Sequence, residues 1–261
     1  MSLAVRVVLS ALRRGTRHRY GPDPSQVADL HLPRGAGPHP VAVVLHGGHW
    51  RTGFGRLVTR PVALDLAAHG VATWNLEYRR LGSGRGGGGG WPATFDDVAA
   101  GIDALAGIDG LDLDRVAVVG HSAGGHLALW AGARAGLLPG APGAGPVVRP
   151  SLVVALAPVT HLRRAGEMAR ELLGGTVEQV PERWDLADPM SLLPLAVPTL
   201  VVHPEADATI PVARSRDYAA ASCAELVTPP GEVHRDPIDP TSASWRTARE
   251  RLLLVLATRS G

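Results

Sequence analysis

The stretch Arg115 to Trp130, RVAVVGHSAGGHLALW, joins one apolar segment to another through a short turn. Its first part, Arg115 to Val119, is rich in β-branched residues, which favours a buried strand. The part after the turn is rich in alanine and leucine, and a helix is predicted from Ser122 to Ala135. A buried strand followed directly by a helix is typical of the repeating unit of a parallel sheet.

The same alternation of strands and helices extends along the chain in both directions. Short apolar runs predict further strands at Val41 to Leu45, Val71 to Leu76, Leu152 to Leu156 and Thr199 to Val202. Apolar residues at helical spacing predict helices at Phe95 to Ala106, Val212 to Ala221 and about Thr241 to Thr258. The expected fold class is therefore α/β, with a mostly parallel central sheet covered by helices on both faces.

One domain accounts for most of the chain. With 261 residues, the chain has the length of a single large α/β domain, which we place at residues 20–261. Residues 1–19 contain a cluster of arginines and are predicted to be a solvated N-terminal extension. Residues 160–193 lie between two predicted strands and have helical spacing, which predicts a small lid inserted above the sheet.

Composition and charge argue against several classes of protein. The net charge is +2, lysine is absent, and the arginines are scattered among acidic residues, so no nucleic-acid partner is expected. No run of about 18 uncharged apolar residues occurs, so no membrane partner is expected either. The single cysteine, Cys223, cannot form a disulfide within the chain, which fits a cytoplasmic location. It is predicted to be a buried thiol.

The turn Gly120-His121-Ser122-Ala123-Gly124 matches the pattern G-x-S-x-G between a strand and a helix. In this setting the serine occupies a strained backbone position that raises its hydroxyl above the sheet, where it acts as a nucleophile. Small residues flank it because strand and helix approach each other closely. The turn predicts an α/β-hydrolase fold with Ser122 as the nucleophile, and an ordinary N-cap serine is the alternative.

The segment His46-Gly47-Gly48-His49-Trp50 follows the predicted strand Val41 to Leu45. Here the hydrolase fold carries backbone N–H donors for an oxyanion, so Gly48 and His49 are assigned as donors together with Ala123. His46 is expected to shape the loop through a local hydrogen bond. His46 and His49 could instead be zinc ligands, but no third ligand follows at suitable spacing, so no metal is expected.

The order of residues along the chain selects an acid and a base. In this fold the nucleophile is followed first by an acid and then by a histidine. Among the 11 histidines, His234 follows the loop after the last predicted strand, and it is predicted to be the base. Asp207 in that loop is predicted to be the acid that orients the base, with Glu205 as the alternative.

Aromatic and histidine side chains near these motifs indicate a substrate pocket. Trp50, His121 and Trp91 are assigned to it, although tryptophan is equally common in core packing. His121 and His126 flank the nucleophile, and both are expected to support its surroundings rather than to react. The glycine-rich run from Gly82 to Gly90 contains a dinucleotide-binding pattern, but no helix begins at its third glycine, so a loop is predicted there.

Together these motifs resemble the esterase and arylformamidase branch of the α/β-hydrolases, above all its kynurenine-formamidase-like members. The loop His46 to Trp50 is similar to that group's HGGxW loop, and His234 to Pro240 is similar to its H-x-D-x-I-D-P segment. Tyr20 to Gln26 also resembles the group. The chain departs from the group at His49, where an aromatic residue is common, and at Pro204, where relatives often have glycine. The resemblance implies hydrolysis of aryl formamides or small carboxylic esters without a cofactor.

The predicted function is hydrolysis of a small-molecule ester or aryl formamide through an acyl-enzyme on Ser122. Hydrolysis of N-formylkynurenine is the sharpest hypothesis, and a general short-chain carboxylesterase is the alternative. A peptidase is less favoured, because no propeller domain precedes the hydrolase domain. A hydrolase-fold protein that binds ligands without turnover is disfavoured, because every triad residue is present. Whether the chain forms a homodimer is left open.

Overall fold

A computed structural model describes residues 1–258 of the chain. Its strands are β1 (Thr16–Arg19), β2 (Val27–His31), β3 (His39–Leu45), β4 (Ala72–Leu76), β5 (Leu111–His121), β6 (Leu152–Leu156), β7 (Thr199–Val202) and β8 (Glu225–Val227). Its α-helices are α1 (Leu3–Ser10), α2 (Arg60–Ala68), α3 (Ala93–Asp103), α4 (Ala123–Ala133), α5 (Glu167–Leu173), α6 (Pro181–Ala187), α7 (Ala213–Ala221) and α8 (Ala243–Ala257).

The strands form an eight-stranded sheet within residues 1–258, in the order β1-β2-β4-β3-β5-β6-β7-β8. The strands from β3 to β8 run parallel to one another. At one edge β1 and β2 join the sheet in antiparallel pairing. Because the central strands are parallel, their carboxyl ends share one edge of the sheet, and the loops that follow them meet there.

Side chains alternate along the central strands and build a core on each face of the sheet. On β5, Val116 and Val118 pack with the helices from α3 to α7. Ala117 and Val119, which point to the opposite face, pack with α2 and α8. A parallel sheet with both faces covered needs apolar residues at successive positions, which explains the continuous β-branched runs in the sequence.

The amino-terminal residues depart from the predicted extension at residues 1–19. Thr16–Arg19 forms β1 and pairs with β2, so the sheet begins inside that range. Leu3–Ser10 forms α1, which lies against α2. The hydrophobic pattern misses β1 because its side chains are polar. It misses α1 because eight residues form only about two helical turns, too few to show a clear repeat. Strands β2 and β8 and helix α2 also escape the pattern.

Residues 160–193 contain α5 and α6, between β6 and β7. From α5, the sulfur of Met168 lies 2.9 Å from Nδ1 of His49, so this segment contacts the loop after β3. Its role as a lid stays a prediction. Cys223 is exposed rather than buried, because it lies in the connection from α7 to the edge strand β8. Among residues 1–258, no helix has the length and apolar character needed to cross a bilayer.

Candidate active site

The carboxyl ends of β3, β5 and β7 bring the predicted site residues together. In the sheet register, Leu45 of β3 lies beside Gly120 of β5, so the loop after β3 begins next to the turn that holds Ser122. Asp207 lies in the loop that follows β7, and His234 lies in the connection between β8 and α8. Residues far apart in the sequence therefore meet at one edge of the sheet.

Ser122 occupies a strained turn between β5 and α4. Its φ is 55° and its ψ is −117°, a region that residues other than glycine rarely adopt. A Cβ at Gly120 would collide with the carbonyl oxygen of Gly124, and a Cβ at Gly124 would collide with that of Leu45. Glycine at both positions lets strand and helix approach closely enough to project the serine hydroxyl from the sheet edge.

Ser122, His234 and Asp207 form a continuous chain of hydrogen bonds. The Ser122 hydroxyl donates to Nε2 of His234 over 3.0 Å, and the Nδ1–H of His234 donates to Oδ2 of Asp207 over 2.6 Å. The backbone N–H groups of Thr209 and Ile210 donate to Oδ1 of Asp207 over 2.8 and 2.9 Å. The carboxylate is held in one orientation, and it favours the imidazole tautomer whose Nε2 can accept the serine proton.

His203, at the end of β7, lies against the same carboxylate and has no role in the sequence-based prediction. It is fully buried, and its Nε2 lies 2.9 Å from the carbonyl oxygen of Ile210 and 3.1 Å from Oδ2 of Asp207, so its N–H is shared between these two acceptors. The Ser215 hydroxyl lies 2.7 Å from its Nδ1. A histidine directly after the strand that precedes the acid is a signal that could have revealed this contact.

Hydrogen bonding keeps Asp207 ionised. Burial alone would raise the pKa of Asp207, but hydrogen bonds from His203 and His234 lower that pKa well below its usual range. The carboxylate is therefore available to stabilise an imidazolium at His234. Glu205, the alternative acid, is instead paired with Arg216 over 3.3 Å, and both side chains are about half exposed.

The two histidines that flank Ser122 contact the surroundings of the site. The Nε2–H of His121 donates to the carbonyl oxygen of His234 over 2.7 Å, which fixes the backbone that carries the predicted base. Burial, together with the nearby His234, lowers the pKa of His121 to about 3. His126 is fully buried, and its Nε2–H donates to the carbonyl of Ala187 over 2.9 Å. Burial lowers the pKa of His126 to about 4.

The loop after β3 doubles back over Ser122. Gly48, His49 and Trp50 have φ angles of 117°, 57° and 56°, which turn the chain within three residues. A Cβ at Gly47 would lie 3.0 Å from the Cβ of Ser122, so the loop touches the nucleophile. The N–H groups of Gly48, His49 and Ala123 have no acceptor within the described residues 1–258. Unpaired N–H groups beside a nucleophile are what an oxyanion requires.

His46 anchors this loop from below. Its Nδ1 and Nε2 lie 2.8 Å from the Gly47 carbonyl and 2.7 Å from Oε1 of Glu77, so the local bond predicted for it is one of two. Its ring stacks on Tyr78 at 4.4 Å, and the Tyr78 hydroxyl donates to the His46 carbonyl over 2.6 Å. Burial alone would raise the pKa of Glu77, but His46 and Arg80 lower that pKa to about 2. His49 instead faces Met168. His46 and His49, the two possible zinc ligands, therefore contact different partners.

Two cavities open at Ser122 and differ in size and lining. The larger cavity, of about 550 Å³, is lined by His121, Phe54, Ile238 and His234, and by Leu3 and Val7 of α1. The smaller cavity, of about 150 Å³, is lined by Trp50, Ala123, Val159, Met168, Arg164 and Arg214. His234 lines only the larger cavity of the two, and Ala123 lines only the smaller.

The residues assigned to the substrate pocket fall in different places. Trp50 is 1% exposed and lines the smaller cavity, whereas His121 lines the larger cavity. Trp91 lines neither of them, which corrects its assignment. Its ring packs edge-on against Phe95 of α3 at 5.0 Å, and its backbone N–H donates to the Leu172 carbonyl of α5 over 2.7 Å. These contacts hold Trp91 between two helices on one face of the sheet.

The comparisons with known proteins agree with this architecture. The family model BD-FAE matches residues 28–221, which is most of the chain and includes Ser122 and Asp207. The chain belongs to the BD-FAE family. The matched range ends before His234, so the third residue of the hydrogen-bonded chain lies beyond the region that the BD-FAE match covers.

Similar proteins and structures extend the comparison beyond the BD-FAE match. The chain is 30% identical over 220 residues to esterase LipC from Mycobacterium tuberculosis; the alignment covers 76% of this chain and 52% of LipC. This chain thus spans about half the length of that curated relative.

Solved structures match the chain almost from end to end. A truncated carbohydrate esterase from gut microbiota has a TM-score of 0.77 at 18% identity, covering 94% of this chain and 98% of that one. A thermophilic esterase from Thermogutta terrifontis, in a butyrate-bound form, has a TM-score of 0.74 at 20% identity, covering 94% and 95%. The predicted α/β-hydrolase fold is thereby confirmed.

Proposed function

We propose that the protein is a serine carboxylesterase that hydrolyses esters of short acyl groups. The observation that carries this proposal is the chain of hydrogen bonds from Ser122 through His234 to Asp207, beside three N–H groups that have no acceptor among residues 1–258. Nucleophile, base, orienting acid and oxyanion donors are what acyl transfer needs. The names of the related esterases support the same reaction class.

The reaction proceeds in two halves. His234 takes the proton from Ser122 while Oγ attacks the ester carbonyl carbon, and the N–H groups of Gly48, His49 and Ala123 stabilise the negative oxygen. His234 then protonates the alcohol oxygen as the bond between acyl carbon and alcohol oxygen breaks. A water molecule, activated by His234, attacks the acyl-enzyme in the second half and releases the acid.

The two cavities suit different halves of the substrate. The leaving alcohol must receive its proton from His234, so it belongs in the cavity of about 550 Å³ that His234 lines. The acyl group is attached to the carbonyl carbon on a different side from the alcohol, so we assign it to the cavity of about 150 Å³, which His234 does not line. This assignment gives a large alcohol and a small acyl group.

The size of the acyl cavity favours esters over formamides. A volume of about 150 Å³ corresponds to roughly five water molecules at ~30 Å³ each, which is room for an acyl chain of a few carbons. A formyl group, which carries only hydrogen on its carbonyl carbon, would leave this cavity unfilled. Hydrolysis of N-formylkynurenine, which the resemblance implies, is therefore the second candidate, with the aryl amine in the larger cavity.

Active-site labelling tests the mechanism. A fluorophosphonate probe is expected to label the wild-type protein, and the substitution Ser122→Ala should abolish the label. His234→Ala should lower kcat on 1-naphthyl butyrate by several orders of magnitude, up to about a millionfold. Thermal melting of each variant reports whether it has folded. A wild-type protein that is not labelled, or a folded His234→Ala variant of normal activity, would refute the mechanism.

A comparison of substrates tests the chemical class. We expect kcat/KM for 1-naphthyl butyrate to exceed that for N-formylkynurenine, and Ser122→Ala to remove both activities. The acyl series from acetate to octanoate should peak at a short chain, because longer chains exceed the small cavity. A higher kcat/KM for N-formylkynurenine than for every ester would assign the protein to the formamidases instead.

A further inference from the structure

The small cavity beside Ser122 carries positive charge on its rim. Arg164 and Arg214 line it, and no carboxylate side chain is among its lining residues. Arg164 is paired with Asp217 over 3.0 Å. The guanidinium of Arg214 has neither an ion pair nor a hydrogen-bond acceptor within the described residues 1–258. Among the described residues, Arg214 is thus a cation without a partner in the wall of the cavity assigned above to the acyl group.

The backbone of Arg214 is firmly held, so its side chain starts from a defined place. Its carbonyl accepts the hydroxyl of Thr160, which is fully buried, over 3.0 Å, and its N–H donates to the Pro211 carbonyl over 3.0 Å. The remainder of the cavity wall is largely apolar, with Trp50, Val159 and Ile210 among its residues. A largely apolar cavity with a half-buried arginine in its wall fits a short chain that carries an anion at its far end.

We propose that Arg214 binds the terminal carboxylate of a short dicarboxylic acyl group, so that the enzyme hydrolyses monoesters of four- or five-carbon dicarboxylic acids. The proposal rests on the esterase function proposed above. Ser122 attacks the ester carbonyl, the bond from acyl carbon to alcohol oxygen breaks, and the alcohol leaves with the proton held by His234. Water then cleaves the acyl-serine bond and releases the dicarboxylate.

The volume of the cavity limits the length of this chain. The part of a succinyl group beyond the ester carbonyl has two methylene carbons and one carboxylate. These few non-hydrogen atoms match roughly the five water volumes that fit in the cavity. A carboxylate at the end of such a chain can pair with the guanidinium of Arg214, whereas a monocarboxylic chain of equal length places apolar atoms against it.

Two esters of the same shape test the proposal. Monobenzyl succinate and benzyl 4-methylpentanoate differ in that an isopropyl group replaces the carboxylate. We expect wild-type kcat/KM to favour the succinate monoester, and Arg214→Gln to reduce this preference by roughly ten- to a hundredfold, as for loss of one charged hydrogen bond. Arg214→Lys should keep part of the preference. The same substitution at Arg216, an exposed arginine on the same helix, is the control and should change it by less than about twofold.

Other roles for Arg214 predict different outcomes of these experiments. Benzyl butyrate measures the proposed esterase function itself: if it is hydrolysed while monobenzyl succinate is not preferred, the arginine proposal alone fails. Equal preference in wild type and Arg214→Gln overturns the proposal in the same way. If Arg214→Gln impairs 4-carboxybenzyl butyrate and spares the succinate monoester, Arg214 binds the alcohol side and the acyl assignment is wrong. Should Arg214→Gln fail to fold, two other measurements test the proposal. One is the substrate preference of Arg214→Lys, and the other is whether succinate inhibits the wild-type enzyme more strongly than 4-methylpentanoate does.

Discussion

At the scale of single residues, the predicted triad is supported by a histidine behind it. His203 contacts the carboxylate oxygen of Asp207 that also accepts the Nδ1–H of His234. Two donors on one oxygen hold the carboxylate more rigidly than one, and both lower the pKa of Asp207. His203 does not reach Ser122, so it acts as a positioning residue for the acid.

We predict that His203→Ala lowers kcat by about tenfold, the loss of one hydrogen bond to a charged group, while KM changes little. His203→Gln, whose amide can donate to Asp207, should restore most of the activity. The rate of fluorophosphonate labelling should fall in parallel with kcat. Equal activity in the Ala and Gln variants would show that this ring only fills space.

The sequence predicts some of these residues and misses others for a physical reason. The turn Gly120 to Gly124 predicts Ser122, and residue order predicts His234 as the base and Asp207, with Glu205 as the alternative, as the acid. It says nothing of His203, whose contact with Asp207 depends on how the loop after β7 folds back. The assignment of Trp91 to the substrate pocket is wrong because the sequence does not show what this ring packs against. A tryptophan next to a glycine-rich loop is equally suited to a cavity or to a helix interface.

At the scale of elements, helix α1 forms one wall of the larger cavity. Leu3 and Val7 line that cavity, whereas Val8 points away from it and is 69% exposed. The size of alcohol that the enzyme accepts is therefore expected to depend on α1.

We predict that Val7→Trp lowers kcat/KM for 1-naphthyl butyrate by about tenfold or more, because the indole fills part of the alcohol cavity. The same variant should leave methyl butyrate, with its small alcohol, nearly unaffected. Val8→Trp adds the same group to the outer face of the helix and is the matched control. Equal loss with both alcohols would contradict a steric role for α1.

The sequence predicts the central elements well and the peripheral ones poorly. Runs of β-branched residues predict buried parallel strands, as in β3, β5 and β6. The outer strand β1 consists of Thr, Arg, His and Arg, and it is a strand only because β2 offers it an edge to pair with. The helix α1 is likewise fixed by packing against α2 rather than by its own short period.

At the scale of the whole molecule, several buried groups make the fold sensitive to acid. Burial lowers the pKa of His126 to about 4 and that of His121 to about 3, while contacts with His46 and Arg80 lower the pKa of Glu77 to about 2. All three groups bind protons more readily in the unfolded chain than in the folded protein. The stability that these groups contribute is fully present above their pKa values in the unfolded chain. It is lost as the pH falls towards their pKa values in the folded protein.

We predict that the free energy of unfolding falls progressively from about pH 6.5 to about pH 4, the range in which the unfolded histidines become protonated. For His126 the difference in pKa corresponds to about 3 kcal/mol. Urea unfolding at several pH values measures this slope. The variant His126→Gln, which stays neutral throughout, should show a shallower slope. A stability that is constant over this range would contradict the prediction.

Helix α1 lies outside the sheet and packs against α2. Part of the wall that selects the alcohol therefore lies outside the elements that carry the ester-cleaving residues. Substitutions at Leu3 and Val7 are expected to alter the range of alcohols while Ser122, His234 and Asp207 keep their hydrogen bonds. Relatives that differ in this helix are expected to accept different alcohols while catalysing the same reaction. The helix is therefore a suitable segment to replace when the alcohol specificity is engineered.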